Sequence, residues 1–387
     1  MTSSGFRRIV VVGNGIAGLT ASDSLRAAGY DGELTVVGNE NHSPYSRPAL
    51  SKAALLDGGE MSSHRLPAPT HEASEILGVS ASRLDVDKKV VHLADGTEVP
   101  YDAVVLATGS RARRLGSGDD RELTLRTLDD ALALRHRLSN KPSVVVLGGG
   151  ALGMEIASGC LAAGCAVTLA SRDEPLIRQL GFHLSQVFLS GARRSRLRLA
   201  SSPAVDVRHG DGVSRVALAD GTELEAELVI SAVGDAPNTE WLQSSGLLVN
   251  GELTVDSRGR VRPDIVAAGD LAAFPTSRGI QRIPLWTSAI EQGKVAALAL
   301  VKGDEAPELD FTPYFWTEQF GLSLKASGFL PLAGLPEVLE GDPQENRALL
   351  RWSHDDGSGT AVAINYRIPI PRLRRLSAAR QSAASAA

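Results

Sequence analysis

Two stretches of the chain place an apolar run directly before a glycine-rich turn. "RRIVVVGNGIAGLTASDSLRAAG" spans residues 7–29 and "PSVVVLGGGALGMEIASGCLAAG" spans residues 142–164. Each begins with a β-branched run, continues through a small-residue helix and ends in Ala-Ala-Gly before another apolar run. The pattern predicts the same unit twice: a strand, a turn, a helix and a second strand.

The turn in both units has the spacing G-x-G-x-x-G. Its glycines are Gly13, Gly15 and Gly18 in the first unit and Gly148, Gly150 and Gly153 in the second. Glycines at this spacing permit a tight turn, let the backbone approach a pyrophosphate and let the helix pack closely on the strand. The alternative is that one turn is only a tight connection between strand and helix. Because the motif occurs twice, it predicts two nucleotide-binding units.

Later landmarks are repeated as well. "ADGTEVPYDAVVLATG" at 94–109 matches "ADGTELEAELVISAVG" at 219–234: each has an Asp-Gly hairpin turn and an apolar strand that ends at glycine. A further buried strand, "RPDIVAAGD" at 262–270, follows the second unit, which indicates that the second domain is inserted into the first. The chain after about residue 310 contains "FTPYFWTEQFGLSLKASG" and "RALLRWSHDDGSGTAVAINY", strand-like runs typical of a small α+β domain.

Composition narrows the function classes. The 387 residues are 43% hydrophobic and 22% charged, with a net charge of −5, which is ordinary for a soluble globular protein and argues against a general nucleic-acid or membrane binder. No apolar run approaches the roughly 20 residues of a membrane span, and the N-terminal stretch lacks a signal peptide's apolar region. We therefore expect a cytoplasmic protein. The two cysteines, Cys160 and Cys165, have neither redox nor zinc spacing and are expected to be reduced structural thiols.

The loop "PYSRPALSK" at 44–52 follows the first unit and carries Arg47 and Lys52. Its two prolines stiffen the loop, which would place both cations beside the phosphate end of the first site. An arginine can grip a pyrophosphate with two hydrogen bonds, whereas a lysine is a compact point charge suited to a ring edge. The alternative is that both are solvated surface cations.

Taken in order, the loops and turns of this chain resemble those of the FAD-dependent NAD(P)H:ferredoxin reductases. This family serves Rieske dioxygenases and bacterial cytochromes P450 and includes proteins similar to putidaredoxin and rubredoxin reductases. The resemblance extends to about residue 376, and its motifs are "VVGNGIAGL", "PYSRPALSK", "YDAVVLATGSRARRL", "LRTLDDA", "VVVLGGGALGMEIA", "AVGDAPNTEWL", "VAAGDLA", "WTSAIEQGKVAA" and "PYFWTEQFG". Flavoprotein disulfide reductases share the glycines but neither "PYSRPALSK" nor "PYFWTEQFG".

The resemblance implies an α/β fold with two Rossmann-like FAD/NAD(P)-binding domains of the glutathione-reductase type plus a small α+β C-terminal domain. We expect a discontinuous FAD-binding domain at 1–114 and 238–309, an NAD(P)-binding domain at 115–237 and the C-terminal domain at 310–376. Residues 377–387 are expected to form a disordered tail.

The resemblance also assigns residues to FAD. The set is Gly13, Gly15, Ile16, Ala17 and Gly18 at the pyrophosphate, Glu40 at the adenosine ribose, Arg47 and Lys52 along the pyrophosphate and flavin, Ala81, Ala107, Thr108, Gly109, Arg126, Asp270, Trp286 and Trp316. Asp270 follows a buried strand, where ligands collect in open α/β sheets. Open alternatives are an exposed loop acid for Glu40, a surface helix arginine for Arg126 and ordinary core residues for the two tryptophans.

After Trp286, "TSAIEQGKVAALAL" predicts a helix with Thr287 or Ser288 near its cap. In the family, this helix points its N-terminus at the flavin pyrimidine, where the positive end of the dipole favours the anionic reduced ring.

The second unit is expected to hold NADPH or NADH through Gly148, Gly150, Gly153 and Gly234. Glu155 is expected in the first helical turn and resembles the family's glutamate near the nicotinamide. The alternative is that it is only an acid that interacts favourably with the positive end of the helix dipole. In "AVTLASRDEPL" at 166–176 the family's ribose glutamate is replaced by Ala170 and Ser171. Ser171 and Arg172 could bind a 2′-phosphate, although Asp173 could turn back to a ribose and Arg172 could face solvent. We expect NADPH to be accepted at least as well as NADH.

The chain lacks the cysteine pair through which disulfide reductases of this fold pass electrons. The loop after the first unit, "SPYSRPALSKAALL", carries no cysteine, so a dithiol cannot receive the electrons. The resemblance implies that FAD takes hydride from NAD(P)H and that electrons leave singly to a [2Fe-2S] ferredoxin. The resemblance implies that Lys52 and Glu155 lie near the flavin and the nicotinamide. No general acid or nucleophile is assigned, and no metal site is predicted. The alternatives are an NAD(P)H oxidase or small-acceptor reductase and a redox-sensitive flavoprotein interaction protein.

The ferredoxin is expected to dock on a basic patch. The candidates are "RARR" at 111–114 and "PRLRRL" at 371–376, each of which could instead be a solvated face. The protein is expected to be a monomer or weak homodimer with no nucleic-acid or membrane partner.

Overall fold

The computed structural model describes residues 5–52, 55, 64–116, 121–355 and 357–378. In chain order its strands are β1 (Arg8–Val12), β2 (Glu33–Gly38), β3 (Ser74–Leu77), β4 (Ala81–Asp85), β5 (Val90–Leu93), β6 (Glu98–Pro100), β7 (Ala103–Leu106), β8 (Ser110–Ala112), β9 (Glu122–Leu123), β10 (Ser143–Leu147), β11 (Ala166–Ala170), β12 (Arg198–Ala200), β13 (Ala204–His209), β14 (Ser214–Leu218), β15 (Glu223–Ala226), β16 (Leu228–Ser231), β17 (Asp235–Pro237), β18 (Leu253–Thr254), β19 (Arg260–Arg262), β20 (Ile265–Ala267), β21 (Ala272–Thr276), β22 (Gly279–Gln281), β23 (Tyr314–Gln319), β24 (Leu322–Ser327), β25 (Glu337–Asp342), β26 (Arg347–Ser353) and β27 (Gly359–Ile364). The α-helices are α1 (Ile16–Ala27), α2 (Leu128–Leu138), α3 (Ala151–Ala162), α4 (Ile177–Leu180), α5 (Phe182–Arg194), α6 (Trp286–Lys302) and α7 (Ile370–Ser377).

The described residues divide into two compact units. The first comprises those within Met1–Ser46, Arg65–Arg111 and Ala236–Phe311, and the second those within Arg47–His64, Ala112–Asp235 and Thr312–Ala387. The predicted domain ranges stay a prediction. Of the predicted disordered tail, Ser377 ends α7, and residues 379–387 lie outside the described residues.

The first unit is built on a six-stranded sheet in the order β19-β20-β7-β1-β2-β3. Its strands are parallel except for the antiparallel edge strand β19. Parallel strands are covered on both faces and therefore read as continuous apolar runs, and β7 is buried at every position. The buried strand expected within 262–270 is β20, which pairs with β7, so chain far beyond the second glycine turn completes the first sheet.

The second unit repeats this plan with a parallel five-stranded sheet in the order β12-β11-β10-β16-β9. The chain after residue 312 adds a five-stranded antiparallel sheet in the order β23-β24-β27-β26-β25. Helix α7 packs on that sheet through Leu373, which is fully buried. The α/β fold class and the C-terminal α+β segment are thus confirmed. Among the described residues, no helix combines the length and the apolar character that a bilayer span requires.

Candidate functional site

The first glycine turn joins β1 to α1. Gly13 has φ +118°, and a Cβ there would lie 2.1 Å from the Ala107 carbonyl oxygen, so only glycine fits beside the end of β7. A Cβ on Gly18 would lie 1.8 Å from the Gly13 carbonyl oxygen, which explains the third glycine. Gly15, the N-cap residue of α1, has open space where a side chain would point. Because α1 has no side-chain cap hydrogen bond, the amides at its start, at Ile16 and Ala17, are available to an anion.

Two polar groups near this turn are buried and have no hydrogen-bond partner within the described part of the chain. They are the side-chain amide of Asn14, between the first two glycines, and the hydroxyl of Ser288, in the first turn of α6. A buried polar group without a partner costs free energy unless a ligand satisfies it. The open turn and these two groups fit a bound dinucleotide such as FAD.

The carboxyl ends of β7 and β20 bring further predicted residues together. Thr108 and Asn238 exchange two hydrogen bonds, from the Thr108 hydroxyl to the Asn238 carbonyl (3.0 Å) and from the Asn238 amide to the Thr108 carbonyl (2.9 Å). Ser110 donates to the Asp270 carboxylate at 3.2 Å. Asp270 therefore lies beside the segment that follows Gly109. The sequence analysis did not predict Asn238 as a site residue, although it lies in the motif "AVGDAPNTEWL".

Glu40 follows the end of β2 by two residues. Its carboxylate accepts a 2.5 Å hydrogen bond from the hydroxyl of Tyr45, which is buried. An acid at the end of the strand next to β1 is suited to a ribose diol. Ala81, also assigned to the cofactor, begins β4 in a separate three-stranded sheet. The roles of both residues stay predictions.

Helix α6 begins one residue earlier than expected. Its N-cap is Leu285, so Thr287 and Ser288 lie in the first turn and neither is the cap residue. Thr287 and Ser288 thus lie near the cap, as expected, and the N-cap residue Leu285 makes no side-chain cap hydrogen bond. The helix is tied to the sheet by Gln292, whose side-chain oxygen accepts the Gly269 N–H at 2.7 Å, next to Asp270.

The second glycine turn, between β10 and α3, repeats the backbone of the first. Gly148 has φ +107°, a Cβ there would lie 2.3 Å from the Ala232 carbonyl oxygen, and a Cβ on Gly153 would lie 2.0 Å from the Gly148 carbonyl oxygen. Gly234, with φ +108°, follows the neighbouring strand β16. The start of α3 is not open, however: the Ala151 N–H donates to the side-chain oxygen of Gln179 at 2.6 Å.

The loop after β11 lines a small pocket at the carboxyl ends of β11 and β12. The pocket residues are Leu169, Ser171, Asp173, Pro175, Leu199, Ala200 and Ser201. Asp173 is among the lining residues, and its carboxylate forms a 2.5 Å ion pair with Arg178. The alternative role of Asp173 at a ribose stays a prediction. Ser171 is buried and donates to the Asp173 carbonyl at 2.7 Å. Arg172 is exposed and has no hydrogen bond or ion pair among the described residues.

A buried ion pair lies on α3. Lys52 Nζ is 2.9 Å from Glu155 Oε2, with side-chain exposures of 13% and 5%. The Glu155 carboxylate also accepts hydrogen bonds from Ser51 and, at 2.6 Å, from Thr317 of β23. Lys52 Nζ lies 5.8 Å from the centre of the Trp316 ring. The structure therefore brings together three residues that the sequence had assigned separately.

Glu155 is the fifth residue of α3, so its predicted place in the first turn is wrong. An acid this far along the helix gains little from the dipole, whose effect falls off within the first turn. Its burial is explained by three hydrogen-bond donors instead. The sequence analysis did not predict Ser51 or Thr317 as site residues. A signal was present for Thr317: it and Gln319 are polar and lie two apart on a strand, so they share one face. Both are buried.

Arg47 and Arg126 are also in contact. Arg47 Nη1 donates to the Arg126 carbonyl oxygen at 2.9 Å. Arg126 precedes Thr127, the N-cap residue of α2, so the interpretation as a surface helix arginine is wrong. Thr127 and Asp130 form a reciprocal capping box, which fixes where α2 begins.

Both cysteines are free and buried. Burial raises the pKa of Cys160 to about 12, and burial also raises the pKa of Cys165. Because the thiolate is the reactive form, neither thiol is suited to redox chemistry.

Comparison with known proteins gives consistent results. The family model of the pyridine nucleotide-disulphide oxidoreductases matches residues 7–293. The ferredoxin--NAD(+) reductase component of an anthranilate 1,2-dioxygenase system from Burkholderia cepacia is 34% identical over 96% of this chain and 94% of that protein. The ferredoxin reductase for the CYP199A2 system of Rhodopseudomonas palustris is structurally similar, with a TM-score of 0.85 and 29% identity over 93% of this chain and 91% of that chain. The putidaredoxin reductase–putidaredoxin complex gives a TM-score of 0.86 with 27% identity over 96% and 92% of the two chains.

Proposed function

Because this chain belongs to the pyridine nucleotide-disulphide oxidoreductase family, and within it to the ferredoxin reductases, we propose that it oxidises NAD(P)H and reduces a [2Fe-2S] ferredoxin serving a Rieske or P450 oxygenase. NAD(P)H loses a hydride, whose two electrons leave singly to two ferredoxin molecules and whose proton is released to solvent. When bound, FAD supplies the hydride acceptor that can also release electrons one at a time. The residues of the chain bind and orient the two nucleotides.

The observation that carries the proposal is the state of the two cysteines. They are the only cysteines in the sequence, they lie five residues apart at the end of α3 and just before β11, and both are buried. A disulfide reductase needs an accessible dithiol that receives the electrons. Since this chain has none, the electrons must leave to an external acceptor.

The glycine turns supply the binding groups. In each turn, positive φ at the first glycine and the missing Cβ of the third bring the helix start close to the strand end. The N-terminal amides and the positive end of the helix dipole can then bind a pyrophosphate. At the second turn the Ala151 N–H is bonded to Gln179 Oε1 when no nucleotide is bound. We assign the first turn to the FAD pyrophosphate and the second to that of NAD(P)H.

We assign the Lys52–Glu155 pair to the nicotinamide end of the second nucleotide. Glu155 lies on the helix that begins at the second turn, and its carboxylate holds the Lys52 ammonium in place at 2.9 Å. The nicotinamide ring becomes positively charged when it loses a hydride, and a fixed, poorly solvated carboxylate such as Glu155 stabilises charge that develops there far better than a solvated one. Ser51 and Thr317 position the carboxylate and act only through it.

We propose that NADPH is accepted at least as well as NADH. A carboxylate that selects a ribose diol repels a 2′-phosphate, but Asp173 forms an ion pair with Arg178 at 2.5 Å, which weakens this repulsion. The Ser171 hydroxyl lines the same pocket, and Arg172 is an exposed guanidinium on that loop. Guanidinium groups are well suited to phosphate.

We propose that the acidic ferredoxin docks on the basic surface of α7. Of its arginines, Arg374 and Arg375 are exposed and form no ion pair within the described residues, whereas Arg372 pairs with Glu340. In the other candidate patch, Arg111 pairs with Glu240 at 2.6 Å. An unpaired cation contributes more to steering an acidic partner than one whose charge is already neutralised.

Rapid-mixing kinetics test the proposed function. The holoenzyme is mixed without oxygen with NADPH or NADH, and flavin bleaching is followed; a [2Fe-2S] ferredoxin and cytochrome c are then added as acceptor and reporter. We expect fast bleaching and ferredoxin-dependent cytochrome reduction. Fast bleaching with turnover by oxygen alone would favour an oxidase, and slow bleaching with a long-lived charge-transfer complex would favour an interaction protein.

The docking surface is tested in the same assay. Reversing both charges, in an Arg374→Glu/Arg375→Glu variant, is expected to raise the KM for ferredoxin by about tenfold and to weaken its salt dependence. The rate of flavin bleaching should not change. Arg198→Glu, at an exposed position of β12, is the matched control; an equal effect there would reject α7 as the docking surface.

A further inference from the structure

The side-chain amide of Gln179 occupies the start of the helix at the second glycine turn. Its Oε1 accepts the N–H of Ala151, the first residue of α3, at 2.6 Å. The first amides of a helix have no acceptor within the helix, and they are the donors that a dinucleotide pyrophosphate uses. Gln179 therefore takes up one donor that the bound nucleotide would need.

The position of Gln179 is fixed by the loop that carries it. Leu176, the N-cap residue of α4, is buried and donates to the Gly149 carbonyl oxygen at 2.7 Å. It does so with φ +67°, a conformation that is unfavourable for leucine, and Leu180 at the other end of α4 is fully buried. Between these two anchors Gln179 itself is exposed. Its side chain can thus leave α3 for solvent without breaking the loop.

We propose that Gln179 is a displaceable cap of the dinucleotide site. Without nucleotide it satisfies the Ala151 N–H, and on binding a pyrophosphate oxygen replaces Gln179 Oε1. This inference rests on the proposed function, since it assigns the second turn to NAD(P)H. Gln179 is a positioning residue: it lowers the affinity for a co-substrate that must leave after each turnover.

Two substitutions separate this role from a structural one. Gln179→Ala removes the competitor, so the Kd for NADP+ is expected to fall about two- to tenfold, which corresponds to the net contribution of one hydrogen bond. Gln179→Glu keeps a hydrogen-bond acceptor and adds a negative charge, so the Kd is expected to rise by about tenfold or more. Gln344→Ala, an exposed glutamine of the C-terminal segment, is the matched control and should leave the Kd unchanged.

The measurement is calorimetric titration of the oxidised holoenzyme with NADP+ and, separately, with NAD+. The KM for NADPH should follow the Kd, while the limiting rate of flavin bleaching stays constant. If the wild-type protein binds NADP+ and the Kd is unchanged or raised in Gln179→Ala, the proposed role of Gln179 is wrong while the proposed function still stands. Wild-type protein that binds neither dinucleotide would overturn the proposed function and, with it, the cap.

Discussion

The two glycine turns are the same piece of backbone with different side chains around it. Gly13 and Gly148 have φ +118° and +107°, and in both turns a Cβ on the third glycine would collide with the carbonyl oxygen of the first. Each first glycine also donates to a carbonyl oxygen near the end of the neighbouring strand, Gly13 to Val37 at 2.7 Å and Gly148 to Ala170 at 2.8 Å. The glycines alone therefore establish that a dinucleotide fits; they do not establish which one.

The helices that follow differ at equivalent positions. Among the described residues, no side chain bonds to the first amides of α1, whereas Gln179 bonds to that of α3. Five residues after the N-cap glycine, α1 carries the half-buried Thr20 and α3 the buried Glu155. An open helix start is suited to a resident cofactor, and a covered start with a buried ion pair beside it is suited to a ligand that exchanges and reacts.

The acids after the second strands also differ in their partners. By strand register Val12 pairs with Val37 and Leu147 with Ala170, so Glu40 and Asp173 are equivalent. Glu40 accepts a hydrogen bond from the hydroxyl of Tyr45, whereas Asp173 forms an ion pair with Arg178. The acid after β2 is suited to a ribose diol, and the ion pair at the second site weakens the repulsion between Asp173 and a 2′-phosphate.

The largest expected effect comes from the glycines themselves. Gly13→Ala places a Cβ 2.1 Å from backbone, so we expect protein that purifies without FAD. Gly148→Ala meets the Ala232 carbonyl oxygen at 2.3 Å, and we expect flavin content to remain while bleaching by NADPH slows about a hundredfold or more. Flavin absorbance and rapid mixing measure both, and dithionite should still bleach Gly148→Ala. Loss of flavin in both variants would contradict separate sites.

The ion pair on α3 should give the next largest effect. Lys52→Met leaves the Glu155 charge buried without its partner, which costs roughly 3–5 kcal/mol in the free energy of unfolding. We expect bleaching by NADPH to slow at least about tenfold. The double variant Lys52→Met/Glu155→Gln should regain most of the stability but not the rate. Urea unfolding and rapid mixing measure these quantities.

The matched control for the ion pair is Thr20→Val, at the equivalent position of α1, which should change the rate of bleaching less than about twofold. If the double variant regained the rate as well as the stability, the pair would be structural only.

Nucleotide choice should respond less strongly. Arg172→Ala is expected to raise the KM for NADPH about tenfold, the value of one charge-assisted hydrogen bond, and to leave the KM for NADH almost unchanged. Steady-state kinetics with both nucleotides measure the two KM values. The control is Arg198→Ala, at the end of β12 opposite to the pocket residue Ala200. Equal changes for NADPH and NADH would reject contact with the 2′-phosphate.

Sequence reasoning succeeded where a short stretch of chain determines its own geometry. The glycine spacing, the repeated hairpins and the strand within 262–270 each predict a local backbone, and all of these elements are present. It failed where the partner is distant in sequence: the hydrogen bond from Thr317 to Glu155 joins residues 162 apart, and that from Ala151 to Gln179 joins residues 28 apart. The start of α6 was predicted one residue too late because Leu285 carries no capping group.

The smallest expected effect tests the observation on which the proposed function depends, namely that both cysteines are buried. Cys160 of α3 is equivalent to Leu25 of α1, and both are fully buried, so the thiol fills space rather than reacts. Because burial raises its pKa to about 12, almost no thiolate exists at pH 8, and labelling of the folded protein by a thiol reagent should be negligible until urea is added. Cys160→Ala should lower stability through the smaller side chain yet keep ferredoxin-dependent turnover within about twofold. Loss of turnover in a folded variant would mean that electrons pass through this thiol.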